Sequence, residues 1–173
     1  QSNNHETHLK AFYHVESNSM LELEPPKHTR LRGLVLRAFT TRKINTIQPE
    51  IAALSYKLLD DLKSNNVDIL KEFATQLPVI VIARLLGVPE TMAQDLLSWS
   101  NDMVMMYQAR RTKELEIKAN SSTKEFVSFM EKYIEEKRYK PEDDLISHLI
   151  AAEQAGEKLT KDELISTCIL LLN

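Results

Sequence analysis

The chain has 173 residues, with 22 Lys and Arg against 25 Asp and Glu, and a net charge of -3. Hydrophobic residues make up 43% of the chain and charged residues 27%, which is close to the globular average and excludes extended disorder. The near-neutral charge gives no overall argument for binding nucleic acid. One cysteine excludes a disulfide framework or a thiolate-rich metal site, and three glycines are too few for a phosphate-binding loop.

Three features of the sequence point to the same compartment. No apolar stretch is long enough to cross a bilayer, and the first residues, Gln1 to His5, lack the basic-then-apolar layout of a signal peptide. A lone cysteine fits a reducing environment. We therefore expect a cytoplasmic protein with no membrane partner. Its numbering is expected to start inside a longer chain or at an artificially chosen boundary.

Helical patterning dominates the chain. Residues 1–24 are weakly patterned and predict a loop region with a short helical turn near Leu9 to His14. Helices are predicted at about 25–38, 49–63, 71–86, 89–107, 113–138, 143–155 and 160–173. Residues 71–86 are nearly all apolar, which predicts a central helix. The fold class is all-α with little or no β-strand, and residues 25–173 form one incomplete helical domain.

Several helix boundaries have a specific chemical signal. Pro25 and Pro26 suit the entry of the first long helix, and Pro49 suits the entry of the next, because proline has no N–H to leave unpaired there. Gly87 suits a helix end. Thr160 and Glu163 have the spacing of a capping box.

The last predicted helix becomes steadily more apolar, through Cys168 and a run of leucines to Asn173. A helix that is apolar all round belongs inside a large core. We expect a truncated chain that exposes part of this helix and therefore self-associates.

Three segments resemble the bacterial cytochrome P450 family of haem-thiolate monooxygenases. Residues 25–32, with Arg37-Ala38-Phe39-Thr40, resemble helix C of that family. Residues 77–89 are similar to the junction of its helices E and F. Residues 143–147, followed by Glu163-Leu164-Ile165 and the leucine run, are similar to helix H and the start of helix I. The resemblance covers residues 19–173.

This resemblance implies a parent enzyme that inserts one oxygen atom from O2 into an apolar small molecule. It implies haem b as cofactor, and electrons from NAD(P)H through a ferredoxin or flavodoxin. The family's cysteine ligand loop, its Glu-x-x-Arg pair and the oxygen-activating part of helix I correspond to positions beyond Asn173. Cys168, in an apolar helix, is expected to be a small core residue. The piece alone is therefore predicted to be inactive and not to retain haem, with no catalytic residue in it.

His28 and Arg32 are four residues apart, so on a helix they share a face and could converge on one carboxylate. The resemblance implies that they bind a haem propionate. The alternative is an ordinary exposed basic face.

From Lys27 to Lys43 there are six basic residues and no acidic one. Nucleic acid binding would need an aromatic platform or a recognisable motif, and neither is present. The resemblance implies docking of an acidic electron donor, with Arg30 and Arg37 as outward contacts. The alternative is a solvated face.

Four residues are candidate substrate contacts. Met103 and Met106 are flexible thioethers that suit a pocket for varied apolar molecules, although core filling is the alternative. Leu170 and Asn173 match family positions that face the distal pocket, although Asn173 could equally be exposed at the chain end.

Two further hypotheses stay open. His5 and His8 could chelate a metal on a helix, but no third ligand is fixed, so no metal site is predicted. The rival to the enzyme hypothesis is a self-contained all-α binding or regulatory domain, with its leucine run buried in a bundle or dimer interface.

Overall fold

The computed structural model describes residues 7–39, 41–63, 66–154 and 156–173. The helices are α1 (Lys10–Glu16), α2 (Lys27–Ala38), α3 (Thr41–Asp60), α4 (Gln76–Leu86), α5 (Ala93–Val104), α6 (Lys113–Tyr139), α7 (Leu145–Ala151) and α8 (Lys161–Leu172). Two short antiparallel strands, β1 (Glu153–Gln154) and β2 (Glu157–Lys158), pair between α7 and α8. The all-α prediction is confirmed. In the described ranges, no helix combines the length and apolarity needed to cross a membrane.

Helix α6 is the centre of the packing. It contacts α1, α5, α7 and α8. Its buried residues Phe126, Met130 and Ile134 are fully enclosed and lie at helical spacing. Trp99 of α5 packs on Phe126 with the ring centroids 5.5 Å apart. The longest and most charged helix thus supplies one continuous apolar stripe to the core.

Two predicted helix boundaries are confirmed in atomic detail. Gly87 ends α4 in the left-handed conformation, with φ of 82°. At the start of α8, the Thr160 hydroxyl accepts from the Glu163 N–H, and the Glu163 carboxylate accepts from the Thr160 N–H, which completes the capping box.

The prediction that Pro49 opens a helix is wrong. Helix α3 begins at Thr41 and contains Pro49 in its interior. Proline in a helix interior removes one backbone hydrogen bond but does not always end the helix. The proline signal alone therefore placed this boundary too late in the chain.

The predicted helix over residues 143–155 is too long. Asp144 caps α7 by accepting from the Ser147 N–H at 2.8 Å, and the helix ends at Ala151. The β1–β2 hairpin follows, with Gly156 at φ of 81° in its connection.

Residues 71–86 do not form one central helix. A π-helical turn over Leu70–Ala74 precedes α4. Only Val79, Ala83 and Leu86 of α4 are buried, and its other apolar side chains are partly exposed. The composition of this segment predicted burial on all sides, whereas the described chain covers one side.

The weakly patterned N-terminal region contains a real helix. Phe12 and Val15 of α1 are buried against the core. The side chain of Asn120, on α6, accepts from the N–H groups of Ala11 and Phe12 at 2.9 and 3.1 Å. The residue that caps α1 is more than 100 positions away, so no pattern within the N-terminal region could predict the cap.

Candidate functional site

The site predicted on α2 is organised by the packing of that helix. Leu31, Leu34, Val35 and Ala38 form its buried face, which packs against α7. His28 and Arg32 lie about 40° apart around the helix, at one margin of this face. His28 is half-buried and Arg32 is exposed.

The side chains of His28 and Arg32 make no hydrogen bond or ion pair within the described residues. Their N–H donors thus share one helix edge, and no described acidic side chain is paired with them. Such an edge can bind a carboxylate from outside, because a guanidinium offers two parallel N–H donors and an imidazole adds a third.

Arg30 lies on the opposite margin of α2, where the chain itself neutralises it. Its guanidinium forms an ion pair with Glu163, the capping residue of α8, and its Nε lies 3.4 Å from Glu157 Oε2 in β2. It also donates to the Lys158 carbonyl at 3.4 Å. Arg30 therefore fastens α2 to the hairpin and to the start of α8.

Arg37 is exposed at the end of α2 and has no acidic partner among the described residues. Leu36 beside it is 58% exposed. The side chains of Arg42 and Lys43, and the whole of Thr40, lie outside the described residues. Of the two docking candidates, Arg37 is thus the one with an unengaged cation.

The four predicted substrate contacts occupy different environments. Met103 and Met106 are fully buried in the core, at 0% and 1% exposure. Leu170 is half-buried and Asn173 is exposed. The Ser100 hydroxyl donates to the Leu172 carbonyl at 2.9 Å, which holds the end of α8 against α5. The structure brings α5 and α8 together, as a shared pocket wall would require.

Cys168 is fully enclosed in α8. Burial raises the pKa of its thiol to about 12, and the negative charge of Asp144 adds to the shift. A thiol with so high a pKa stays protonated at neutral pH and makes a poor metal ligand, since the thiolate is the binding form. Cys168 is a core residue.

The described residues contain no cluster of three or more His, Cys, Asp or Glu side chains that could hold a metal ion. His8 Nε2 lies 3.0 Å from Glu116 Oε2 on α6. His5, its proposed companion, lies outside the described residues.

Among the polar contacts that sequence reasoning missed is a partly buried one between α1 and the turn that follows α5. The Tyr107 hydroxyl donates to Glu16 Oε2 at 2.8 Å. Burial raises the pKa of the Glu16 carboxyl, the hydrogen bond from Tyr107 partly opposes this, and Glu22 adds to it. Glu16 and Tyr107 are 91 residues apart, so no spacing pattern could have paired them.

No family model matches the chain. Among curated proteins, the polyketide biosynthesis cytochrome P450 PksS of Bacillus subtilis strain 168 is 42% identical over 157 residues, covering 90% of this chain and 38% of that protein. A vitamin D(3) 25-hydroxylase of Pseudonocardia autotrophica is 36% identical over 155 residues, covering 88% of this chain and 37% of that protein. The chain thus spans about two fifths of the length of these relatives.

Solved structures agree with this result. P450BioI, in complex with an acyl carrier protein ligated to hexadec-9Z-enoic acid, superposes with a TM-score of 0.87 at 31% identity, covering 95% of this chain and 42% of that one. The structure of PksS superposes with a TM-score of 0.81 at 39% identity, covering 94% and 40%. Sequence and fold therefore point to the same relatives.

Proposed function

This chain belongs to the bacterial cytochrome P450 family, and on that premise we propose that it is the part of a monooxygenase that binds haem propionate and helps to enclose the substrate. The parent enzyme inserts one oxygen atom from O2 into an apolar small molecule. The observation that carries the proposal is the unneutralised His28–Arg32 edge on α2, in a chain whose relatives are cytochromes P450. The rival hypothesis, a self-contained regulatory domain, finds no support among these relatives.

The family implies haem as cofactor, and this chain contains residues that fit one part of the haem, a propionate group. His28 and Arg32 would hold a propionate, because their donors share one helix edge and have no partner of their own in the described chain. Cys168 does not fit as the axial thiolate, since it is enclosed and its pKa is raised to about 12. Bound haem supplies the activation of O2. The residues of this chain bind and orient it.

Arg37 is the better candidate for docking the electron donor, a ferredoxin or flavodoxin. Its charge is exposed and lacks an acidic neighbour in the described chain, whereas Arg30 is held in ion pairs with Glu163 and Glu157. An exposed cation steers an acidic partner and affects mainly the association rate. We expect Arg30 to contribute less to docking than Arg37.

We place the substrate against the last turn of α8, where Leu170 is half-buried and Asn173 is exposed. Met103 and Met106 would reach it only from within the core, so their contribution is to shape the wall behind. The apolar character of the half-buried Leu170–Leu172 turn favours an apolar substrate.

Two consequences concern the chain by itself. We propose that it is catalytically inactive, because its one cysteine cannot act as the thiolate ligand. We also propose that it self-associates through partly exposed apolar side chains of α4 and α8, since bare apolar surface favours association.

The test begins with a visible absorption spectrum of the purified 173-residue chain, reduced and exposed to carbon monoxide. We expect no thiolate-type haem band, and such a band would overturn the assignment of Cys168 to the core. In a cytochrome P450 that contains this chain, Arg32→Ala should weaken haem affinity by about 10- to 100-fold, the value of a hydrogen bond to a charged group.

Arg37→Ala is the matched control on the same helix. It should leave haem occupancy unchanged and slow reduction by the donor protein, with an effect that shrinks at high salt. If Arg32→Ala and Arg37→Ala lose haem equally, or if neither does, then the His28–Arg32 edge is not the propionate site.

A further inference from the structure

A groove of about 690 Å³ lies between α1 and α6, away from the α2 edge described above. One wall comes from Lys10, Ala11 and His14 of α1. The facing wall comes from Ile117, Ser121 and Lys124 of α6, which are spaced four and three residues apart and therefore share one helix face. Its volume is in the range of small-molecule sites, about 300 to 1,000 Å³.

The apolar residues of the two walls, Ala11 and Ile117, form what we call the floor of the groove. Ile117 is 51% exposed and so is accessible to a ligand. The two walls are joined beneath by Asn120, whose side-chain oxygen accepts from the Ala11 and Phe12 N–H groups. Because the helices are fastened to each other, the groove is preformed rather than a gap between mobile elements.

The rim of the groove is basic, and its charges are unequally neutralised. The two imidazoles have acidic neighbours: His8 Nε2 lies 3.0 Å from Glu116, and His14 Nε2 lies 3.3 Å from Asp162. The two lysines, Lys10 and Lys124, are exposed, and their side chains have no ion pair or hydrogen bond among the described residues. An apolar floor thus lies between two cations on opposite walls.

We propose that this groove binds an amphipathic carboxylate, with the apolar tail on Ile117 and Ala11 and the carboxylate between Lys10 and Lys124. A neutral apolar molecule would use only the floor, and a small anion would use only the rim. A molecule with both parts uses all the features that the groove presents. The site goes beyond the proposed haem function and does not depend on it.

The experiment titrates the protein with dodecanoate, below its micelle concentration, and follows the Ile117 methyl signals by NMR. Dodecan-1-ol and acetate serve as matched probes that lack the charge and the tail. We expect saturable binding of dodecanoate at Ile117 and no binding of acetate. Dodecan-1-ol should bind about 4- to 25-fold more weakly than dodecanoate, because it lacks the charge that pairs with both lysines and each exposed ion pair contributes about two- to fivefold.

Lys10→Gln and Lys124→Gln should each weaken dodecanoate binding by about two- to fivefold and leave dodecan-1-ol binding unchanged. Lys132→Gln is the control, because Lys132 is an exposed lysine on the same helix, outside the groove. Equal affinity of all four proteins for dodecanoate, or signal changes confined to residues outside the groove, would overturn the proposal. Neither result depends on haem, so the proposed function is tested separately.

Discussion

Replacing Gly87 with alanine should destabilise the chain through two separate effects. Gly87 has φ of 82°, a backbone conformation that costs a residue with a Cβ about 1 to 2 kcal/mol. A Cβ at this position would also lie 2.5 Å from the side chain of Asp144. Since that distance is far inside van der Waals contact, Asp144 must move.

Asp144 has little freedom to move. It is 4% exposed, its Oδ1 caps α7, and its Oδ2 lies 2.6 Å from Nζ of Lys137, which is itself buried. Displacing it weakens a helix cap and a buried ion pair together. Overpacking of an enclosed site costs about 1 to 3 kcal/mol, so the total loss for Gly87→Ala is about 2 to 5 kcal/mol.

Gly156→Ala is the control that separates the two effects. Gly156 has φ of 81°, but apart from its chain neighbours no atom of the described residues lies within 4 Å of the position a Cβ would take. It should therefore show the backbone cost alone, about 1 to 2 kcal/mol. Urea unfolding of both variants measures the difference. Equal losses in the two variants would refute the reasoning that Asp144 blocks the space beside Gly87.

Three further predictions concern stability and association. Thr160→Ala, which removes half of the α8 capping box, should lower the free energy of unfolding by about 0.5 to 2 kcal/mol. The loss should exceed that of Thr112→Ala at the exposed start of α6, and urea unfolding of both variants measures the two losses. A larger loss in Thr112→Ala would contradict the argument. Burial raises the pKa of Glu16, so the folded chain binds that proton more tightly than the unfolded chain. The protonated Glu16 carboxyl therefore stabilises the fold fully below about pH 4.5, and this stabilisation is lost as the pH rises through the folded-state pKa of Glu16. Glu16→Gln should flatten the decline in unfolding free energy between about pH 4.5 and 7. An unchanged slope would exclude Glu16 as the source of that decline. Sedimentation velocity should show a mass that increases with protein concentration, and a monomer at all concentrations would argue against self-association.

Local signals in the sequence located most of the fold. The capping box of α8 and the glycine that ends α4 were predictable because their chemistry lies within a few residues. The predictions failed where distant residues decide the structure. Asn120 caps α1 from across the chain, so the sequence predicted only a short helical turn near Leu9 to His14 where the structure has α1. Pro49 predicted a helix start, but it lies inside α3.

The candidate site was predictable to a similar extent. The i, i+4 spacing of His28 and Arg32 placed both on one edge of α2, which the structure reproduces. The ion pair of Arg30 with Glu163 was not predictable, because Glu163 is 133 residues away and already had a local role in the capping box of α8. The capping role of Glu163 is visible in the local sequence, whereas its ion pair with Arg30 is not.

The order of synthesis has a consequence for how this chain folds. The Ser166 hydroxyl of α8 donates to the Val15 carbonyl of α1 across 151 residues, and Arg30 of α2 pairs with Glu163 of α8 across 133. Each early helix therefore gains one of its contacts from a helix that leaves the ribosome long after it. Contacts between distant parts of a chain slow folding, and helices that await their partners expose apolar surface in the meantime. A nascent chain that stops before α8 lacks both of these contacts, and the surfaces of α1 and α2 that α8 covers are then exposed.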